Sequence, residues 1–447
     1  MKESLSRQFL VREVFGLAYP SILSMVSITI QNFIDTAFIS HVGKPQVAAV
    51  GLTSWYIWTL LSFFRGVASA TNTFVARYHG SRRYRSIGVI TWHMIFIGIL
   101  FGIIYFVIGQ FTRSLLRLIN PPEEVVGYAY SYLRIRFYEG FFVVVLFVFE
   151  EFFRGIKKPN ISLFVIGLIS ILNILLDYIL IFGKMGFPAL GVRGAAIATV
   201  ASELIGFIIF LFLYLSSNMR LRYLTSRIPH FSLSLLRRII NVGLPIGLQG
   251  VLDVASFFVF GIIVAKMGVD ALAINQIVIQ ILSLTFMPGL GFSKAATTLV
   301  SSYMGEGNLR KARKSTYLAT LMALAVMLGI AVSFVAVPDF YISIFTEDEV
   351  MHLLGRKILL IAAIYEAFDA IGLVFAGGLF GAGDTKYVMW VILFSAWGLF
   401  IPATYLLGIT IGLGIVGAWM AMALYIFVFG VFSLVRFLGK KWERIKI

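Results

Sequence analysis

The feature that most constrains this chain is a series of apolar runs, each about 20 residues or longer. Runs of this length are typical of transmembrane helices, because a helix satisfies its own backbone hydrogen bonds in hydrocarbon. Only 13% of the residues are charged, whereas a soluble fold needs about a quarter. The sequence therefore predicts an all-α integral membrane protein. We expect twelve transmembrane helices at 14–41, 47–77, 87–116, 126–153, 160–183, 193–216, 239–265, 272–303, 315–345, 354–380, 387–410 and 414–437.

The basic residues orient the chain in the membrane. Most of the 37 Lys and Arg fall at the two termini and in alternate loops. By the positive-inside rule, both termini are cytoplasmic and the protein is a multi-pass component of the inner cell membrane. The net charge of +16 is explained by polybasic loops that face anionic lipid headgroups, so we expect membrane lipids and no nucleic acid as partners.

An internal repeat relates the two halves of the chain. Identical residues recur at a shift of 225 positions, as in Pro20 with Pro245, Gly43 with Gly268, and Gly66 with Gly291. Each half has an even number of spans, so the two six-helix bundles have parallel topology. Two such bundles around a central cleft are typical of a transporter. We predict an N-terminal lobe, a cytoplasmic linker and a C-terminal lobe at 1–215, 216–238 and 239–447.

Two carboxylates of the N-terminal lobe, Asp35 and Asp177, lie at one depth, about 10 Å from the outer ends of their spans. A charged group in hydrocarbon is a candidate functional residue. Asn173 shares a helix face with Asp177, and Thr199 lies at the same level on the next span. Such oxygen ligands suit a hard cation, and two close carboxyls can carry a proton. We predict a cation site here, with Asp35 and Asp177 as metal ligands if the ion is Na⁺. Glu203, four residues past Thr199, is a secondary candidate.

The C-terminal lobe has its own acidic residues, close to mid-membrane. Asp253 lies on span 7, and Asp369 lies on span 10 with Glu366 one turn away. These acids do not superpose on Asp35 and Asp177 under the repeat, so the two halves differ in chemistry. We expect a second cation or substrate site.

The remaining charges inside spans favour structural roles. Arg65 and Lys294 are expected to pair with a neighbouring acid. Interfacial snorkelling and local pairing are expected for a cluster at the middle and inner end of span 4, namely Arg134, Arg136, Glu139, Glu150 and Glu151.

Several motifs together resemble the multidrug and toxic compound extrusion (MATE) transporters, NorM-like branch, over essentially the whole chain. They are "AYPSILSMVSITIQNFIDTAFISHVG", "GLPIGLQGVLDVASFF", "LNILLDYILIF", "LGVRGAAIAT" and "GLFGAGDTK". The resemblance implies two six-helix lobes around a V-shaped central cleft. It also implies export of cationic, lipophilic compounds in exchange for Na⁺ or H⁺.

The resemblance also suggests roles for individual residues. Asp35, Asn173, Asp177 and Thr199 look like the family's N-lobe cation site. Asp253 and Asp369 look like its C-lobe acids, and Tyr365 and Glu366 adjoin them in sequence. Which set carries the coupling ion stays open. Two positions depart from the family pattern: Arg154 stands where Gln is usual, and Tyr178 stands where Pro often follows the aspartate.

These observations predict a secondary active multidrug antiporter whose partners are small organic cations, a coupling cation and lipids. We expect it to act as a monomer, with no cofactor beyond that ion. The alternative is a lipid-linked oligosaccharide flippase of the same superfamily, but such a protein needs a cationic cleft, whereas acids outnumber bases inside these spans. An enzyme is not expected, because the sequence contains no HExxH motif, P-loop or Gly-x-Ser-x-Gly elbow.

Overall fold

The computed structural model describes residues 2–119, 121–445 and 447. Over these residues the ordered backbone is helical and contains no strand. Among the described residues, eleven helices are long and apolar enough to cross a membrane. The prediction of an all-α membrane protein is therefore confirmed.

The N-terminal half supplies nine α-helices, and a 3-10 turn at Phe137–Phe141 joins the fifth to the sixth. They are α1 Lys2–Ser40, α2 Lys44–Gly80, α3 Tyr84–Gln110, α4 Thr112–Ile119, α5 Glu123–Arg136, α6 Val143–Gly155, α7 Pro159–Phe182, α8 Val192–Tyr214 and α9 Ser217–Tyr223.

The C-terminal half supplies eight more α-helices. They are α10 Leu233–Ala265, α11 Val269–Gly305, α12 Leu309–Ala336, α13 Pro338–Ser343, α14 Glu349–Ala382, α15 Thr385–Ile392, α16 Ile401–Tyr405 and α17 Gly414–Leu438. The segment containing α15 and α16 runs as one membrane-crossing helix over Thr385–Thr410, with two π-helical stretches.

The fourth expected span, 126–153, is not a single helix. It is divided between α5 and α6, and the intervening 3-10 turn packs against α3. Gly140 in this turn permits the approach, because a Cβ there would lie 2.7 Å from the Gly102 carbonyl oxygen. The break turns Glu139 into the interior, where it is 0% exposed. Hydropathy alone gives no sign of this break.

The helices pack into two compact units. One contains Leu23–Gly247, and the other contains the chain up to Ile22 together with Leu248–Ile447. The unit boundaries lie within α1 and α10, at positions 225 residues apart. The 225-residue repeat of the sequence therefore also relates the two positions at which the chain passes from one unit to the other. The lobe boundaries at 216–238 stay a prediction.

The repeat extends to individual contacts. In the first unit, a Cβ added to Gly66 of α2 would lie 2.7 Å from the Cα of Gly247. In the second unit, a Cβ on Gly291 of α11 would collide with the side chain of Ile22. Gly291 and Gly247 are the positions 225 residues after Gly66 and Ile22. Each half thus uses the same glycine position to let two helices approach closely.

We expect Gly66→Ala to destabilise the protein by about 1–3 kcal/mol, because backbone atoms of α10 must move to admit one methyl group. Gly167→Ala is the matched control, since its Cβ would have no heavy atom within 4 Å and alanine favours the helix. Thermal unfolding of both variants in detergent measures the difference. Equal melting temperatures for the two variants would contradict the close approach.

Candidate cation-binding site

The centre of the site is a pair of carboxyl groups from different helices. Asp35 of α1 and Asp177 of α7 lie within hydrogen-bonding reach of each other. Asp177 is 0% exposed, and neither of its oxygens receives a hydrogen bond from a described residue. Two ionised carboxylates this close repel each other, so a proton or a cation between them is favourable. The proximity expected from membrane depth is present in the structure.

An amide and a hydroxyl lie beside this pair. Asn173 is one turn before Asp177 on α7, and its Nδ2 donates to Oγ1 of Thr199 at 3.4 Å. The Thr199 hydroxyl in turn donates to the carbonyl oxygen of Ala195 at 3.0 Å. The Asn173 Oδ1 atom is buried and receives no hydrogen bond from a described residue. The amide therefore offers an acceptor oxygen beside the two carboxyl groups, and hard cations prefer oxygen ligands.

Two glycines, one at the start of α8 and one at the end of α7, allow this arrangement of side chains. Gly194 lies so close to α7 that a Cβ there would be 2.6 Å from the Leu180 carbonyl oxygen. At the end of α7, Gly183 adopts a left-handed conformation with φ of 66°, which glycine reaches at little cost. The connection to α8 can then turn back tightly, so that Thr199 faces Asn173.

The ligands that this site offers to a cation are all oxygen atoms. In the part of the chain that the structure describes, no group of three or more His, Asp or Glu is arranged to hold a metal ion. The available groups are two carboxylates, an amide oxygen and a hydroxyl. Oxygen donors of this kind suit hard cations, and the paired carboxyls suit a proton.

A second carboxyl pair lies nearby, and the sequence analysis did not identify it. Glu139 lies within hydrogen-bonding reach of Glu203 on α8. Glu139 Oε1 accepts hydrogen bonds from Nη2 of Arg136 at 3.1 Å and from the Tyr105 hydroxyl at 3.2 Å. Glu203 therefore pairs with Glu139. The expected local pairing of Arg136 is present, but snorkelling is not, because Arg136 is only 8% exposed.

Arg136 is the cation shared by these acids. Its charge acts on Asp35, Asp177 and Glu203 in addition to its bonded partner Glu139. Arg65 acts on Glu203 as well, but the four carboxyls still outnumber the arginines that act on them, so the cluster is acidic. Its place within an apolar span was the signal that could have identified Arg136. The break between α5 and α6 decides which way the arginine side chain faces, and this break is not visible in the sequence.

The expected acidic residues of the C-terminal half also lie together. Asp253 Oδ1 accepts from the Tyr425 hydroxyl at 2.9 Å, and Glu366 Oε1 accepts from the Thr285 hydroxyl at 2.7 Å. Asp369 is close enough to interact electrostatically with both Asp253 and Glu366. Tyr365 is buried and lies beside Glu366 and Asp369. The sequence analysis did not single out Tyr425 or Thr285, which donate to two of these acids.

A third polar cluster lies at the C-terminal end of α6. Arg154 donates to Glu150 and, at 3.0 Å, to Oε1 of Glu151, and all three side chains are at most 3% exposed. Arg65 of α2 lies 3.5 Å from Glu150, as expected for an ion pair with a neighbouring acid. Arg154 therefore bridges two buried glutamates, and Arg65 supplies a second positive charge beside Glu150.

Comparison with known proteins gives consistent results. The family model MatE matches residues 20–179 and again 245–406. "Probable multidrug resistance protein NorM" from Thermotoga maritima is 28% identical over 435 residues, which cover 97% of this chain and 93% of that relative. "Multidrug resistance protein MdtK" from Pectobacterium atrosepticum is 27% identical over 411 residues, covering 89% and 88%.

Solved structures show the same fold. An outward-facing multidrug resistance MATE family transporter of the MOP superfamily superposes with a TM-score of 0.90, covering 98% of this chain and 97% of that one. A MOP superfamily transporter from Pyrococcus furiosus gives 0.89 with the same coverage. Both are 21% identical to this chain.

Proposed function

We propose, because the chain belongs to the MatE family, that it is a secondary active antiporter that exports cationic, lipophilic organic compounds in exchange for Na⁺ or H⁺. Its curated relatives carry multidrug resistance names. The observation that carries the proposal is the pair of Asp35 and Asp177, in which Asp177 is fully buried and receives no hydrogen bond from a described residue, so that a proton or a cation between the two carboxyls is favourable. We further propose that it acts as a monomer in the inner cell membrane, with both termini in the cytoplasm.

The proposed cycle uses this pair as the ion switch. An ion that enters from outside neutralises the carboxyls, which removes the cost of buried charge and favours the inward-facing state. The organic cation then enters from the cytoplasm, and reloading of the ion follows its release outside. The cycle works only if ion and drug bind the two states with different affinities, because equal binding shifts no equilibrium.

Both candidate ions can use the same residues. Na⁺ would bind Asp35 and Asp177, with the Asn173 carbonyl and the Thr199 hydroxyl as further oxygen ligands. A proton would be shared between the two carboxyls. In either case Arg136, whose charge acts on both aspartates, limits the negative charge left when the ion departs.

The C-terminal acids are proposed to attract the organic cation. We expect Asp369→Asn to raise the KM for a fluorescent organic cation about tenfold, the effect of losing roughly 1.4 kcal/mol of charge attraction. Tyr425→Phe is the matched control, because it removes the hydroxyl next to Asp253 but keeps every carboxylate. Initial uptake rates at increasing dye concentration give both KM values. If Asp369→Asn left KM unchanged but abolished uptake driven by the ion gradient, the C-terminal acids would be assigned to the coupling ion instead of the organic cation.

A cell-based assay tests the function directly. Cells that express the protein are expected to accumulate less of a fluorescent organic cation than cells that express Asp35→Asn at the same level. Equal accumulation, together with flipping of a lipid-linked oligosaccharide in vesicles, would favour the flippase function and reject the antiporter.

A further inference from the structure

A cavity of about 430 Å³ lies in the unit that contains Leu23–Gly247. Its walls come from Lys158, which directly precedes α7, and from the short helix α9, which lies in the segment after the last span of the N-terminal half. Under the proposed orientation this is the cytoplasmic end of the unit. The lining residues are Lys158, Asn218, Met219, Leu221, Arg222 and Tyr223.

The surroundings of the cavity are strongly basic. Lys157, Lys158 and Arg222 all lie close enough to His79 to act on it electrostatically. The three segments that meet here, 76–92, 155–165 and 216–240, contain eleven Lys and Arg and no Asp or Glu. These segments therefore concentrate positive charge around the cavity and contribute no acidic residue to balance it. Such a surface favours an anionic ligand.

Arg222 is held in a position to bind such a ligand. Its guanidinium carbon lies 4.7 Å from the Tyr84 ring centroid and 5.4 Å from the Tyr223 ring centroid. The Tyr84 hydroxyl also interacts with it. Stacking uses the planar faces of a guanidinium and leaves N–H groups at its edge for a phosphate, which arginine binds in a bidentate way.

The segment that follows α9 is fixed against α3. Nε1 of Trp92 donates to the Thr225 carbonyl oxygen at 2.9 Å, and the Ser232 backbone N–H donates to Nε2 of His93 at 3.0 Å. The His93 ring also stacks on Phe231. The linker is therefore an ordered surface beside the cavity.

This surface exposes large apolar side chains. The exposed fractions range from 59% to 83% for Leu221, Ile228, Phe231 and Leu233. Apolar groups grouped beside basic ones are typical of a surface that lies in the membrane interface, where acyl chains cover the apolar groups and headgroups meet the cations.

We propose that this cavity binds the phosphate headgroup of an anionic phospholipid of the cytoplasmic leaflet, whose acyl chains cover the exposed apolar side chains of the linker. Arg222 and Lys158 neutralise the phosphate, and Asn218 donates a hydrogen bond to the headgroup. The apolar side chains favour a lipid over a soluble phosphate compound. The proposal rests on the orientation given under the proposed function, but lipid binding is measured without transport, so the two can fail separately.

The test is binding of phosphatidylglycerol to the full-length protein in phosphatidylcholine nanodiscs, followed by native mass spectrometry. We expect Lys158→Gln/Arg222→Gln to weaken phosphatidylglycerol retention about thirtyfold, since each basic residue near anionic lipid contributes a factor of roughly five. Lys440→Gln/Lys441→Gln is the matched control, because it removes two exposed basic residues of the other unit. Arg222→Lys keeps the charge but loses the planar stacking, so we expect an intermediate loss.

Three results would overturn the proposal. Wild-type protein that retains phosphatidylglycerol no better than phosphatidylcholine has no such site. Equal weakening in both double variants, at matched melting temperatures, would show diffuse charge attraction only. Displacement of the lipid by millimolar inorganic phosphate, with equal binding of phosphate in detergent, would assign the cavity to a soluble anion.

Discussion

Asp35→Asn and Asp177→Asn are each expected to reduce gradient-driven uptake of an organic cation to the level of protein-free vesicles. Each change leaves only one ionisable group in the pair, so the ion no longer neutralises two facing carboxylates. Without a difference in ion affinity between the two states, the gradient cannot drive a cycle. The measurement is uptake of a fluorescent organic cation into inside-out vesicles, at protein amounts matched by quantitative blotting.

The control for this prediction is Asp270→Asn. Asp270 is an exposed carboxylate in the first turn of α11, and we expect its amide variant to retain uptake close to the wild-type rate. Normal uptake in both Asp35→Asn and Asp177→Asn would reject the N-terminal pair as the coupling site. Loss of uptake in the Asp270 variant as well would indicate a general effect of losing a carboxylate.

Arg154→Gln is expected to lower the free energy of unfolding by about 3–5 kcal/mol. The arginine donates hydrogen bonds to both Glu150 and Glu151, which are each 2% exposed. Truncating one partner of a buried ion pair is more costly than removing the whole pair, because the acids stay buried while they lose a cation and its hydrogen bonds. Chemical unfolding in detergent, or a melting curve under the same conditions, gives the size of the loss.

A second substitution separates charge from packing at this cluster. The double variant Glu151→Gln/Arg154→Gln removes one negative and one positive charge together. Glu150 keeps its ion pair with Arg65 at 3.5 Å. We expect the double variant to recover most of the stability lost in Arg154→Gln. A double variant as unstable as the single one would show that packing of the arginine, and not its charge, stabilises the C-terminal end of α6.

The sequence predicted those features that depend on composition and depth. Long apolar runs indicated the membrane helices, and the repeat matched Gly66 with Gly291; the structure adds that each of these glycines permits a close approach between helices. Counting residues from the span ends placed Asp35 and Asp177 at one level, and the structure brings them within hydrogen-bonding reach. Depth along a helix follows directly from its fixed rise per residue.

The features that the sequence did not predict depend on backbone direction. Arg136 and Glu139 lie beside a 3-10 turn that changes which way the fourth span faces. A regular helix drawn through 126–153 gives these residues the wrong neighbours, so their burial and the pairing of Glu139 with Glu203 were missed. The turn depends on close contact of Gly140 with α3, which is a tertiary interaction that hydropathy does not report.

The central claim is that an ion gradient drives export through the pair of Asp35 and Asp177. The most direct test is uptake of a fluorescent organic cation by purified protein in inside-out vesicles, with a Na⁺ gradient imposed in one set and a proton gradient in the other. The account predicts uptake driven by one of the two gradients and abolished in Asp35→Asn. Uptake that neither gradient drives, or that Asp35→Asn retains in full, would contradict it.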